Sequence, residues 1–179
     1  GQGPSALGSL ASAECFDPAA GEWQGLPDMR EGRSLACALG ARGRLLVCGG
    51  CNIPAGIQPA DGFAQDSRGI RPCLLGSVEC LLPATGWRCM PGLLRPRCDV
   101  ACACSTRCIY LCGGICMGND GTVALDTVER LDLDALQRPD LDALGAAGPA
   151  APAPGGPGRR PGPPRQPWGW ETLPRMSAG

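Results

Sequence analysis

The chain has 179 residues, with 16 arginines, no lysine, no histidine and a net charge of −1. A charge this close to zero gives no support for nucleic-acid or anionic-membrane binding, and no apolar run nears the roughly 20 residues a spanning helix needs. Without histidine or lysine, Ser-His-Asp and Cys-His nucleophile pairs, His-ligated metals and Schiff-base chemistry are excluded from this stretch.

Residues 12–32 begin with Glu14-Cys15-Phe16-Asp17-Pro18 and continue through Gly21, Trp23, Leu26-Pro27 and Met29. The first run reads as a strand stopped by Pro18, since proline cannot donate to a β-ladder, and Trp23 opens a second strand. Arg33 then leads a run of small apolar residues over 34–39. Gly40-Ala41-Arg42-Gly43 reads as a hairpin turn, and the Leu- and Val-rich run 44–48 ends in Gly49-Gly50.

The same order then recurs. Glu79-Cys80-Leu81-Leu82-Pro83 is followed by Gly86, Trp87, Met90-Pro91, Leu93 and Arg97. Two more predicted strands cover 98–104 and 108–112, with Ser105-Thr106-Arg107 as the turn and Gly113-Gly114 as the stop. From Arg33 to Gly50 and from Arg97 to Gly114 the copies align without a gap, 64 positions apart. A third copy starts at Val128-Glu129-Arg130-Leu131-Asp132 and resumes at Trp170, Leu173-Pro174 and Met176. A repeat of this length makes the fold an array of similar units. Four short antiparallel strands per unit describe a propeller blade, so the expected fold class is all-β, with blades that do not complete a ring.

These residues resemble the Kelch repeat. That family's blade carries a Gly pair, a Glu-x-aromatic-Asp-Pro strand, and a Trp followed by Leu-Pro-x-Met. Gly49-Gly50 and Gly113-Gly114 match the first feature, and residues 14–18 and 23–29 match the others. The second copy departs with Leu81-Leu82 in place of the aromatic-Asp pair, and the third lacks its Pro. The repeat motif therefore comprises Trp23, Arg33, Gly49, Gly50, Trp87, Arg97, Gly113, Gly114 and Trp170.

The expected division is a flank over 1–11, a half-blade over 12–32, a full blade over 33–94 with a long loop at 51–75, a full blade over 95–176 with an insertion at 133–167, and a tail at 177–179. Propellers close with four to eight blades, so the chain reads as a fragment of a longer propeller or an incomplete gene model. Residues 133–144 suit a short helix. Residues 145–167, rich in Ala, Gly and Pro, read as a flexible linker.

Thirteen cysteines invite three readings, which stay open: small apolar packing residues, disulfides in an oxidising compartment, or a metal site. Strand alternation places Cys98, Cys102 and Cys104 on one face and Cys108 and Cys112 on one face of the next strand. Only Cys48-Gly49-Gly50-Cys51 has the Cys-x2-Cys spacing of a zinc hook, and a second pair is missing. Some Kelch propellers are oxidases holding copper with tyrosine and histidine. Tyr110 is the sole tyrosine here, so neither a cofactor nor a metal is expected, and no catalysis.

In an up-and-down blade, the loops between strands two and three emerge on the same side as the links between blades. That face gathers residues 51–75, 115–123, 28–32 and 92–96, and forked guanidiniums there suit carboxylates. Arg30 and Arg95 are the candidates for binding an acidic segment of a protein partner. Arg33 and Arg97, at one repeat position, also suit a salt bridge inside each blade. The resemblance implies a cytoplasmic recognition module for a cullin-type ubiquitin ligase, with Met29-Arg30-Glu31-Gly32-Arg33 looking like that group's inter-blade link. The alternatives are a cytoskeletal or signalling scaffold, or a non-catalytic fragment of a propeller enzyme.

Overall fold

The structure, a computed structural model, describes residues 8–54, 72–82, 85–118, 121–134 and 169–175. Among them every regular element is a β-strand. Strands β1 (Ala13–Asp17) and β2 (Glu22–Leu26) form an antiparallel pair with Phe16 opposite Trp23. A four-stranded sheet follows, made of β3 (Cys37–Ala41), β4 (Arg44–Cys48), β7 (Val78–Leu82) and β8 (Gly86–Met90) in that spatial order. A second has the order β9 (Ala101–Cys104), β10 (Cys108–Cys112), β13 (Val128–Asp132) and β14 (Glu171–Thr172). Two hairpins, β5 (Cys51–Asn52) with β6 (Cys73–Leu74) and β11 (Ile115–Gly118) with β12 (Gly121–Ala124), extend from one end of these sheets. Among the described residues no sheet closes on itself, and the arrangement is that of an incomplete propeller.

The core sits between the two four-stranded sheets. Leu46, Cys48, Val78, Cys80 and Met90 of one pack with Ile109, Leu111, Leu131 and Trp170 of the other. Leu46, Ile109, Leu111 and Leu131 are wholly buried; burying such a side chain is worth about 1.5–3 kcal/mol relative to exposure. This is why strands in a blade read as near-continuous apolar runs: both faces of a blade with neighbours are covered.

Two boundaries differ from those the sequence suggests. The inner strands start at Cys37 and Ala101, not at 34 and 98. Leu35 and Asp99 occupy the left-handed region (φ 53° and 50°), which interrupts an extended chain. The β3–β4 turn is only Arg42-Gly43, because Gly40 and Ala41 still pair with Leu45 and Arg44. Both turn residues have positive φ, 49° and 70°, the conformation that matches the twist of a two-residue hairpin.

The segment read as one long loop at 51–75 contains the β5–β6 pair, while its residues 55–71 lie outside the described residues. Of the helix expected over 133–144 only residues 133–134 are described; the rest of it and the linker after it also lie outside the described residues.

Candidate protein-binding face

The repeated arginines are spent inside the blades. Arg33 Nη1 donates to the carbonyls of Gly49 (2.9 Å) and Ser77 (3.2 Å), while Nη2 donates to Ser77 Oγ (3.0 Å) and Glu79 Oε1 (2.6 Å). Sixty-four positions on, Arg97 Nη1 donates to Gly113 O (2.9 Å) and Thr127 O (3.4 Å), and Nη2 donates to Thr127 Oγ1 (3.3 Å) and pairs with Glu129. All four charged side chains are 1% exposed. The second carboxylate oxygen is used as well: Glu79 accepts from the Arg30 amide (2.8 Å) and Glu129 from the Leu94 amide (2.9 Å). Each Glu thus ties the incoming inter-blade link to the blade's own third strand. The cells also differ at the guanidinium Nε. Arg97 Nε donates to Arg95 O (3.4 Å), whereas Arg33 Nε has no acceptor among the described residues.

Glycine is required where these cells meet the backbone. Gly50 has φ 96°, and a Cβ there would lie 2.8 Å from Ser34 O and 2.9 Å from the Ala36 Cβ. Gly114 repeats this at φ 90°, 2.7 Å from Cys98 O. The close approach lets Ser34 and Cys51, and likewise Cys98 and Ile115, exchange backbone hydrogen bonds.

The blades are locked to each other through the tryptophans. Trp87 Nε1 donates to Pro27 O (2.6 Å) and Trp170 Nε1 to Pro91 O (2.9 Å). Both acceptors follow the last strand of the preceding unit. Trp23 is 67% exposed and packs against Phe16 with ring centroids 5.3 Å apart.

What the face itself offers follows from these assignments. The links between blades, the β5–β6 and β11–β12 hairpins and the starts of β3 and β9 share one end of the sheets. Arg30 and Arg95 are exposed there, but at different repeat positions: Arg30 corresponds to Leu94, and Glu31 to Arg95. Arg30 Nη1 rests 3.5 Å from Cys89 Sγ on β8. The Arg95 side chain has no partner among the described residues. Glu31 is held by Ser77 Oγ and by Arg33 (3.4 Å). Leu35, Leu94 and Val123, at 53%, 57% and 47% exposure, add apolar surface to the same end, and Asp99 is exposed beside Leu35.

Sequence reasoning passed over Glu79 and Glu129 as ion-pair partners. The available signal was the recurrence of Ser77-Val78-Glu79 as Thr127-Val128-Glu129. It also passed over Leu35, Leu94 and Asp99, which carry no motif. The opposite end of the blades has an open hollow of about 410 Å3, lined by Ser105, Thr106, Arg107, Tyr110, Arg130 and Asp132. Arg130 is engaged there by Glu171, which raises its pKa through hydrogen bonding and charge.

The cysteines distribute differently from the strand-alternation picture. Cys98 lies outside β9, joined only by an isolated bridge to Ile115. Within the third unit the register sets Cys104 opposite Ile109, Cys102 opposite Leu111 and Cys112 opposite Ala101, so no cysteines face each other across these strands. Cys102 is instead disulfide-bonded to Cys37 of the preceding blade. Cys48, Cys51, Cys80, Cys98, Cys108 and Cys116 are buried free thiols. Burial pushes Cys48 up to about 12 and Cys98 up to about 11, which keeps both uncharged. Among the described residues no group of three or more metal-ligating side chains gathers.

A Kelch motif model matches residues 96–137. No curated protein matches the chain. Among solved structures, one titled "Structure of YjhT" superposes with a TM-score of 0.57 at 13% sequence identity, covering 94% of this chain and 44% of that one. The chain thus spans less than half of that protein's length.

Proposed function

We propose that this chain, with the fold of an incomplete propeller and a Kelch motif at residues 96–137, is a non-catalytic protein-interaction module. It binds its partner on the face that carries the inter-blade links. The observation that carries this is a division of labour among arginines on one short stretch of each repeat. Arg33 and Arg97 are buried and paired with Glu79 and Glu129, whereas Arg30 and Arg95, two or three residues earlier, stay exposed. Exposed guanidiniums beside Leu35 and Leu94 suit an extended acidic segment with an apolar side chain between its carboxylates.

The test is a fluorescence titration with labelled peptides, each bearing two or three acidic residues around a Leu or Phe. Micromolar binding weakened about tenfold or more in Arg30→Ala/Arg95→Ala, and by raised salt, is the expected result. Affinity unchanged in the double variant removes the acidic-segment reading. A role as the recognition part of a cullin-type ubiquitin ligase in the cytoplasm rests on the likeness of residues 29–33 to the links of such adaptors. Co-precipitation of a cullin with the full-length protein checks it, and its absence under mild lysis removes it.

A further inference from the structure

We propose that Cys37 and Cys102 form a reversible thiol–disulfide latch between two consecutive blades, and that its redox state sets how firmly the partner-facing ends of β3 and β9 are held. The second clause rests on the reading of that face as the binding surface; the first does not.

The two strands belong to different sheets yet lie side by side at the inner edge of their blades. The Cα atoms of Cys37 and Cys102 are 6.4 Å apart, within the span that a disulfide bridges, and the residues are 65 positions apart in sequence. Each blade is otherwise closed on itself by its Arg–Glu cell, and the outer edges are joined by Trp170 and Pro91. Toward the binding face, among the described residues, the Asp99 amide donates to Leu35 O at 3.0 Å and the Gly50 amide to Arg97 O at 2.9 Å, but no covalent bond other than the latch joins β3 to β9. The latch lies two residues beyond Leu35 and three beyond Asp99, so it clamps the strands that these left-handed residues open.

Geometry, rather than access, singles out this pair: Cys37 is buried, while Cys15, Cys73 and Cys104 are exposed free thiols with no bonded partner. The free thiols Cys48, Cys51, Cys80 and Cys98 are buried and do not meet solvent reagents. Cys102 is only partly buried, and Cys104, on the same face of β9, is exposed. Of the two latch sulfurs, Cys102 is the one that a low-molecular-weight disulfide of the glutathione class reaches. The Cys102 thiolate attacks one of its sulfurs, forming a mixed disulfide and releasing one thiolate. The Cys37 thiolate then attacks Cys102 Sγ, forming the inter-blade bond and releasing the second thiolate. Two protein thiols are oxidised, one small disulfide is reduced to two thiols, and the two protein protons pass to the released thiolates.

The experiment equilibrates the chain in reduced and oxidised glutathione, traps free thiols by alkylation, and maps peptides without reduction. The oxidised sample should hold a peptide containing Cys37 linked to one containing Cys102, with fragmentation placing the bond at 102 rather than 98 or 104. Reduction should free both, and Cys102→Ser should abolish the linked species. Loss of the link in wild type, or bonds at other cysteines instead, overturns the latch. Hydrogen exchange then reads the second clause without any partner. Amides at 34–36 and 98–100 should exchange about tenfold slower in the oxidised state, with no such difference in Cys102→Ser. Equal exchange in both states of a chain with the mapped bond overturns the coupling to the face. Because neither readout involves Arg30 or Arg95, failure of the latch and failure of the binding reading are distinguishable.

Discussion

The Trp87 indole donates to the carbonyl of Pro27, across the boundary between two units, at 2.6 Å. Trp170 makes the same bond to Pro91 one unit later. Trp87 is 8% exposed and Trp170 is 5% exposed, so both donors are withdrawn from water, although Pro27 itself is exposed. The recurring Trp-and-Pro spacing therefore encodes docking between neighbours, and not only packing within one blade.

Replacing Trp87 by Phe keeps most of the apolar contact and removes the donor. The expected cost is about 1 kcal/mol, that of one intramolecular hydrogen bond whose acceptor water can still reach. The loss should be local. Hydrogen exchange in β1 and β2 should accelerate while β10 and β13 remain protected, and uniform acceleration across all strands would contradict a boundary role for the bond.

The Arg–Glu cells should dominate stability within each blade. In Glu79→Ala, the Arg33 guanidinium stays buried with its carboxylate gone, and the Arg30 amide loses its acceptor. A loss of about 3–5 kcal/mol is expected, as is the same loss for Glu129→Ala. Arg33→Lys should not rescue, because one ammonium cannot span the Gly49 carbonyl, the Ser77 carbonyl and hydroxyl, and the Glu79 carboxylate together. Urea denaturation of the single variants checks this; a lysine variant as stable as wild type would mean that charge alone, not the guanidinium fork, holds the cell.

Much of this was legible in the sequence because the blade is local. A strand, a tight turn and a Gly pair are each written in fewer than ten residues, and their recurrence reveals the array. The left-handed residues Leu35 and Asp99 were not legible, since neither Leu nor Asp announces positive φ and the strain is held by contacts with the adjoining blade. The Cys37–Cys102 pair escaped for a related reason: its register is set by how two sheets stack, which alternation within one strand does not reveal. The candidate face was only half legible. Topology alone gathers the loops, but which arginine is buried and which is exposed depends on the carboxylates that Ser77-Val78-Glu79 and Thr127-Val128-Glu129 bring in from elsewhere.

The Gly pairs allow a comparison in which only backbone demand varies. Gly50→Ala places a methyl against Ser34 O and Ala36 in a left-handed backbone and should cost about 2–4 kcal/mol. Gly40→Ala, in β3 with nothing near the new methyl, should be neutral or stabilise by a few tenths of a kcal/mol. Thermal melts of the two variants side by side provide the check, and equal melting temperatures would remove the close-approach argument.

The buried thiols give the fold an alkaline limit. Cys48 has an ordinary value of 9.0 and is raised to about 12, first by burial, with the Cys80 thiol adding and Arg33 partly opposing. Because the folded value lies above the unfolded one, the folded state holds its proton where the unfolded chain has lost it. This contribution to stability is complete below about pH 9 and disappears as pH rises toward the folded value. Cys98, raised to about 11, behaves alike over a narrower window. Between pH 9 and 10.5 the reduced protein should lose on the order of 2 kcal/mol or more, at about 1.4 kcal/mol per unit for each thiol. Urea melts in a reducing buffer at steps across that range measure it, and Cys48→Ala should flatten the slope, with the raised Cys51, Cys80 and Cys98 thiols supplying the remainder, even though the variant starts lower at neutral pH. A slope unchanged in that variant would place the alkaline sensitivity elsewhere.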